Sequence, residues 1–560
     1  MTALAQEDFR LTVTVEGVEG ELRRNVLAYM SLYRERHHPY LNRTMARRLF
    51  AKAEGEIRAA LQPFGYYRPE VESELDTRDP DHWRARFRID PGPPLPVARL
   101  DVRLTGEGAG DPALRQALRK LPLKPGDRFD HRRYEALKQR LLEAALEQGY
   151  QDARWRERRA VVDLGAYQAR ITLVLDTGPR YRLGPVRFRQ DILDPDFLRT
   201  FVPFRPGEPY RTDALLRLQR ALSDSGYFAR VEVRPLTGEA EDRVVPVEAD
   251  LTPLPPDHYG LGLGYGTDTG ARARLTWDRR YLNRRGHRLE SELYVAETGD
   301  RQSISYLIPL DYFQASQVLV NAHRQSESVQ GRLRETHALR LAYSQGREGW
   351  QRTYALDYQF ELYRTDAELV SGYLLMPNLA LTHTRSDDRT YPRRGHRIDL
   401  DLRGAAKRLL SSTDFFQATL GLRLIRPALR RDRWLLRLRG GQTLVRDLDR
   451  LPLSLRYYTG GDRTLRGYAF QSVGPGGGGG GSRLLETSIE YERHLRRRWS
   501  LAVFFDAANA SADGLAPLLR GTGLGLRWRS PVGPVRLDFA RALDLPGRPW
   551  RLHFNIGPDL

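Results

Sequence analysis

From residue 258 to the end of the chain, apolar and polar residues alternate one by one in segment after segment. In "FFQATLGLRLI", Phe416, Ala418, Leu420, Leu422 and Leu424 alternate with Gln417, Thr419, Gly421 and Arg423. In "HRIDLDLRG", Ile398, Leu400 and Leu402 alternate with Arg397, Asp399, Asp401 and Arg403. "RLLETSIEYER" sets Leu485, Ile489 and Tyr491 against Glu486, Ser488, Glu490 and Glu492. "YGLGLGYG" sets Leu261, Leu263 and Tyr265 against glycines. A period of two places one set on each face of a β-strand. A soluble antiparallel sandwich or propeller shares this alternation. Here, however, the second face is charged on nearly every strand, over roughly 300 residues with almost no helical segment. That fits a barrel whose outside meets lipid and whose inside is wet. The length accommodates about 16 antiparallel strands, so the reading is an all-β transmembrane barrel.

Composition is compatible with this. No run of about 18 apolar residues occurs, which excludes a membrane-spanning helix and leaves a barrel untouched. There is no cysteine, so thiolate metal sites, disulfides and cysteine nucleophiles are excluded. The formal charge is +19, and all but five of the 90 basic residues are arginine. These charges are spread rather than blocked, which argues for biased composition and against nucleic acid as a partner. Near the start, Ala3 and Ala5 fit the small-x-small end of a secretory signal and imply an exported chain.

The first 257 residues have a different grammar. Leu137, Leu141, Ala145 and Leu146 share one helical face, followed by Gly149-Tyr150 and a strand. Leu215, Leu218 and Leu222 repeat the plan before Gly226-Tyr227, and a third copy ends at Gly65-Tyr66. Gly-Pro breaks at Gly92 and Gly178, and Pro-Gly turns at Gly126 and Gly207, recur at similar intervals. A period near 80 residues predicts three tandem β-α-α-β-β units, with glycines capping helices and making turns. The predicted domains are 9–97, 98–184 and 185–257, the last including a proline-rich linker, followed by the barrel at 258–560.

One segment of the barrel half stands out. "GGDRTLRGYAF" (460–470) is followed by "GPGGGGGGS". The chain has no Gly-Lys dipeptide, so this is not a P-loop, and its flanks are strands rather than a strand and a helix. The polyglycine reads as a flexible surface loop. No His-Glu-x-x-His or Gly-x-Ser-x-Gly occurs. The carboxylates read as a polar lumen, and the chain reads as neither an enzyme nor a holder of metal or cofactor. His287 and His396, in two Arg-Arg-Gly-His-Arg turns, read as solvated.

Three β-α-α-β-β units before a barrel resemble the BamA-like outer-membrane assembly superfamily, in which such units are POTRA domains. "LRGY" (465–468) resembles its Arg-Gly-aromatic signature, on a loop that folds back into the lumen. "VFFDAANA" resembles its Phe-x-Asp-x-Gly strand motif, with Phe504 and Asp506 in place and Ala508 where glycine is usual. The whole chain is most similar to the TamA family, through "GYGTDTGARARLTW", "GGDRTLRGY", "LRWRSPVGPVRLDFA" and the terminal "HFNIGPDL".

The resemblance implies a cell outer-membrane location with the N-terminal domains in the periplasm. It further implies assembly or translocation of autotransporter-type outer-membrane clients, alongside outer-membrane lipid. The implied partner is an inner-membrane-anchored TamB-like protein. A pore exporting a dedicated substrate, as in two-partner secretion, is the alternative. An arginine confined in a lumen needs anions, so Arg466 is expected to meet Asp506, the superfamily's partner, and lumen-facing Glu490. Gly467 would allow close approach to the wall, and Tyr468 would pack there. A weak lateral seam is expected between Leu261, Gly262 and Leu263 on the glycine-rich first strand and Phe554, Ile556 and Gly557 on the last. Gly557-Pro558 would kink the chain.

Overall fold

The structure is a computed structural model that describes residues 9–268, 270–329, 332–364, 369–388, 391–429, 431–477, 479–514, 516–530 and 533–556. Gly557 lies outside them, and with it the expected kink.

The N-terminal half forms three units of the β-α-α-β-β type, the first with an additional one-turn helix. The first runs β1 (Arg10–Glu16), α1 (Gly20–Tyr29), α2 (Ser31–Arg34), α3 (Arg43–Leu61), β2 (Glu70–Asp76) and β3 (His82–Asp90). The second runs β4 (Val97–Thr105), α4 (Pro112–Arg119), α5 (His131–Glu147), β5 (Arg154–Asp163) and β6 (Gln168–Asp176). The third runs β7 (Arg182–Arg189), α6 (Pro195–Arg199), α7 (Thr212–Asp224), β8 (Phe228–Pro235) and β9 (Val244–Pro253). Each has a three-stranded sheet with its last strand in the middle: β1-β3-β2, β4-β6-β5 and β7-β9-β8.

The chain packs as two compact units. One holds the residues up to Arg187 with Phe204–Arg217 and Val233–Glu248; the other holds Phe188–Pro203, Leu218–Glu232 and Ala249 onward. In the first unit, Ala46, Ala53 and Ile57 of α3 bury against Leu11, Val15 and Phe87 of the sheet. Leu137, Leu141 and Ala145 of α5 do the same against Ile171 and Leu173, while Leu146 is only half-buried. Asn42 and Asp130 accept hydrogen bonds from the first-turn amides of α3 and α5, which fixes where those helices start. Gly65 and Gly149 have φ of 82° and 93°, the left-handed conformation that closes a helix and that other residues resist.

The second unit is dominated by 16 strands. They are β10 (Asp257–Gly266), β11 (Gly270–Arg279), β12 (Arg288–Ala296), β13 (Gly299–Asp311), β14 (Ser316–Val329) and β15 (Arg332–Arg347). Next come β16 (Trp350–Arg364), β17 (Leu369–Ser386), β18 (Gly395–Ala405), β19 (Phe415–Pro427) and β20 (Arg433–Val445). The last five are β21 (Arg483–Arg496), β22 (Trp499–Ser511), β23 (Leu519–Ser530), β24 (Gly533–Ala542) and β25 (Trp550–Ile556). They form one sheet in sequence order. Outward-facing Leu261, Leu420, Leu438, Val503 and Leu552 are exposed. Trp350, Trp434, Trp499 and Trp528 lie exposed at the strand ends on the rim where β10 begins, and Trp550 on the other. Aromatic girdles around an apolar band are what a lipid-embedded barrel requires.

Two sequence readings need correction. The turn histidines are not simply solvated: His287 Nδ1 lies 2.6 Å from the Tyr306 hydroxyl, and His396 Nε2 lies 3.0 Å from His383 Nδ1. His287, one residue before β12, faces Tyr306 of β13, and His396 of β18 faces His383 of β17. No cluster among the described residues could hold a metal ion. The polyglycine is not all loose surface either. Gly481 exchanges backbone hydrogen bonds with Tyr457 at 2.8 Å, and a Cβ there would strike the backbone of Ser511.

Candidate functional site

The connection between β20 and β21 (446–482) is held inside the barrel by small apolar clusters. Leu451 and Leu455 bury against Leu374, Met376 and Phe415 of β17 and β19. Leu465, Tyr468 and Val473 bury against Ala508 and Ala542 of β22 and β24. Ala508, where glycine was expected, fits because its methyl fills part of this second cluster. The loop therefore reaches from one side of the lumen wall to the other.

Arg466 lies at its centre and is 2% exposed. Its Nε and Nη2 donate to the two Asp506 oxygens at 2.7 and 2.8 Å, a bidentate pair. Its backbone amide donates to the same carboxylate at 3.1 Å. Nη1 donates to Glu490 at 2.6 Å and approaches Asp538 at 3.4 Å. The guanidinium sits 3.4 Å over the Phe504 ring. The structure thus brings Arg466, Phe504, Asp506 and Glu490 together. Gly467 has a φ of 96°, and a Cβ on it would lie 2.8 Å from the Ala542 amide. Only glycine permits that approach. The Tyr468 hydroxyl donates to the Arg520 carbonyl at 3.2 Å.

The ion cluster extends beyond the residues named from sequence. Arg527, 1% exposed on its side chain, donates to Glu490 at 2.8 Å and pairs with Asp538 at 2.7 Å. Arg433 donates to Glu492 at 2.8 Å, and its guanidinium lies 3.7 Å over Tyr391. The Tyr391 hydroxyl donates to Glu492 at 2.8 Å. Glu492 lies 3.6 Å from Arg527, so these groups form one chain from the loop to the β17–β18 turn. Period two places Arg527, Asp538 and Glu492 on lumen faces, but it cannot say which lumen residues meet.

At the seam, β10 and β25 are the two ends of the sheet, and no ladder joins them among the described residues. Leu261, Gly262 and Leu263 pair with Leu275, Arg274 and Ala273 of β11. Phe554 and Ile556 pair with Leu537 and Val535 of β24. Among the described residues one hydrogen bond crosses the gap, from the Phe554 amide to Thr267 Oγ1 at 3.4 Å. The lumen loop touches both sides. The Gly467 amide donates to His553 Nε2 of β25 at 2.9 Å, and the Asp462 amide donates to Asp268 beyond β10 at 2.9 Å. His553 and Asp268 were not among the residues singled out, although the alternation with Leu552 and Phe554 turns His553 inward.

The family model for the Omp85 superfamily domain matches residues 257–559, more than half of the chain. The chain belongs to the Omp85 superfamily. The model for POTRA domain TamA domain 1 matches residues 12–91, and a POTRA model, the surface antigen variable number repeat, matches 181–253. This Omp85 protein is 32% identical over 120 residues to outer membrane protein assembly factor BamA of Nitratidesulfovibrio vulgaris. That match spans 19% of the chain and 15% of the relative. The fold resembles BamA from Haemophilus ducreyi lacking POTRA domains 1–3, with a TM-score of 0.71 at 16% identity, covering 83% of this chain and 99% of that one. CdiB from Acinetobacter baumannii gives 0.48 at 15% identity, covering 83% and 89%. As an Omp85 barrel with POTRA domains, the protein resides in the outer membrane with those domains in the periplasm.

Proposed function

We propose that this protein is a TamA-type assembly factor, not an enzyme, that passes client outer-membrane proteins of the autotransporter type into lipid through the β10–β25 seam. The observation that carries the reading is the seam itself. Every other neighbouring pair of strands is laddered, while among the described residues β25 meets the β10 side through one hydrogen bond of 3.4 Å, to Thr267 just beyond β10. Unpaired strand edges template incoming strands by β-augmentation, which suits a client that must acquire its own hydrogen bonds before entering lipid. The loop supports the reading because it touches both edges, and Arg466 fixes it in place. In this reading the glycine-rich β10 is the edge that separates most easily, since glycine side positions pack weakly. The TamA-type match of the first domain favours an inner-membrane-anchored TamB-like partner, met by the periplasmic domains.

The test is a seam lock. The chain has no cysteine, so T267C with F554C gives one possible disulfide in a clean background. Oxidation should stop client assembly and reduction should restore it. Full assembly by the oxidised, verified disulfide form would refute passage through the seam.

A further inference from the structure

The lumen wall beside the loop anchor carries an unbalanced row of cations. Arg397, Arg423 and Arg437 are direct register partners across β18, β19 and β20. Opposite residues on antiparallel strands have Cα atoms about 4.5–5.5 Å apart, and like charges so placed repel. The outer two have compensation. Arg397 pairs with Asp399 at 2.9 Å. Arg437 donates to Ser488 at 3.0 Å and lies 3.9 Å from Asp506. Arg423, between them and exposed to the lumen, has no hydrogen-bonded or ion-paired partner among the described residues.

A fourth cation comes from the loop. The Arg463 carbonyl accepts from Arg437 Nη1 at 2.8 Å, which brings Arg463 to the row, and its side chain likewise has no acidic partner among the described residues. All four arginines line one cavity of about 850 Å³. Acids line the cavity too, but they are paired with other arginines: Asp401 with Arg403 at 3.2 Å, Glu486 with Arg439 at 3.7 Å, and Glu490 and Asp538 with Arg527 at 2.8 and 2.7 Å. Asp399 also accepts from the Thr382 hydroxyl at 3.0 Å, and Asp506 is occupied by Arg466.

Three guanidinium groups from the wall and one from the loop make a bowl of donors. A carboxylate, with one charge and two oxygens, is matched by a single guanidinium fork. A phosphate or phosphomonoester carries close to two charges and three terminal oxygens, and can engage several forks at once. We propose that this cavity binds a phosphate group, which bridges the β18–β20 wall to the loop through Arg423 and Arg463. The group can come from free phosphate or from a phosphomonoester lipid headgroup.

The test uses the full-length protein in detergent micelles, titrated calorimetrically at fixed ionic strength. One arm uses inorganic phosphate, the second short-chain dihexanoyl phosphatidic acid, and sodium chloride is the control. Saturable binding is expected, weakened about tenfold in R423Q and again in R463Q, and weakened by added salt. Heat-modifiable gel migration verifies that each variant retains a folded barrel. Binding in both arms identifies a site open to free phosphate, and binding of the lipid alone identifies a headgroup site. Saturable binding in neither arm, or unchanged affinity in folded R423Q and R463Q, overturns the proposal.

Discussion

Arg466 and Asp506, 40 residues apart in sequence, meet through three hydrogen bonds of 2.7 to 3.1 Å at a point closed to solvent. Removing one member of a buried pair leaves the other uncompensated, at a cost of roughly 3–5 kcal/mol. R466A leaves Asp506, Glu490 and Asp538 facing each other, so it should release the loop from the wall. Limited proteolysis within 446–482 should be faster in R466A, while the barrel still shows heat-modifiable migration. R466A/D506A should be less damaging than the sum of the single changes, by about 1–3 kcal/mol. Additive effects would mean that the two residues act separately.

The same logic extends to the far end of the ion chain. Tyr391 touches Arg433 and Glu492, and these reach Arg466 through Arg527 and Glu490. Y391F removes one hydrogen bond, worth about 1 kcal/mol. R433A leaves the buried Glu492 with only the Tyr391 hydroxyl and Arg527 at 3.6 Å, and should cost more, up to about 3–5 kcal/mol. Protease access to the β17–β18 turn reports both changes. Equal effects from Y391F and R433A would show that the chain carries no charge coupling there.

How much of this was legible follows from the range over which each signal acts. Alternation is local, so the barrel, its strand number and the inward set could be read from segments such as "HRIDLDLRG". The helical units were legible because Gly65, Gly149 and Gly226 punctuate them. The partners of Arg466 were reached through motif resemblance for Asp506, and through face parity for Glu490. Parity fails beyond that point. It places Asp538, Arg527 and His553 inside, but the distance between strands around the barrel is set by closure and by where the loop lands. The packed end of the polyglycine was missed for the same reason, since nothing local says that Gly481 lies against Ser511.

A third prediction concerns the Arg-Arg-Gly-His-Arg turn between β11 and β12. Within the second compact unit, the Tyr227 hydroxyl donates to the Gly286 carbonyl at 2.6 Å and accepts from Arg288 Nε at 3.2 Å. Asp194 pairs with Arg284 at 2.9 Å. A Cβ on Gly286 would collide with the Phe197 ring. G286V should therefore push residues 188–203 and 218–232 off the turn, at about 1–3 kcal/mol. Hydrogen exchange in those segments should rise while that of β13–β25 stays unchanged. Wild-type protection in G286V would show that the turn bears no load.

The last prediction concerns pH and the contact between the loop and the first hairpin. Burial, with the Asp462 carboxylate beside it, pushes the Asp268 carboxyl up to about 6 from 3.8, against the opposing hydrogen bond from the Asp462 amide. Its folded form thus holds a proton that the unfolded form has lost between those values. Stability from this group therefore increases as pH falls through that window, and the ionised form weakens the contact above it. Asn at 268 keeps an acceptor for the Asp462 amide without the charge. D268N should unfold at a higher temperature than wild type at about pH 7.5, and the gap should narrow as pH falls from about 6 to 3.8 and close at about pH 3, where Asp268 is protonated in the folded and unfolded chain alike. Heat-modifiable migration across temperature measures both midpoints. A gap that persists at the lower pH would assign the effect of D268N to packing rather than to the charge.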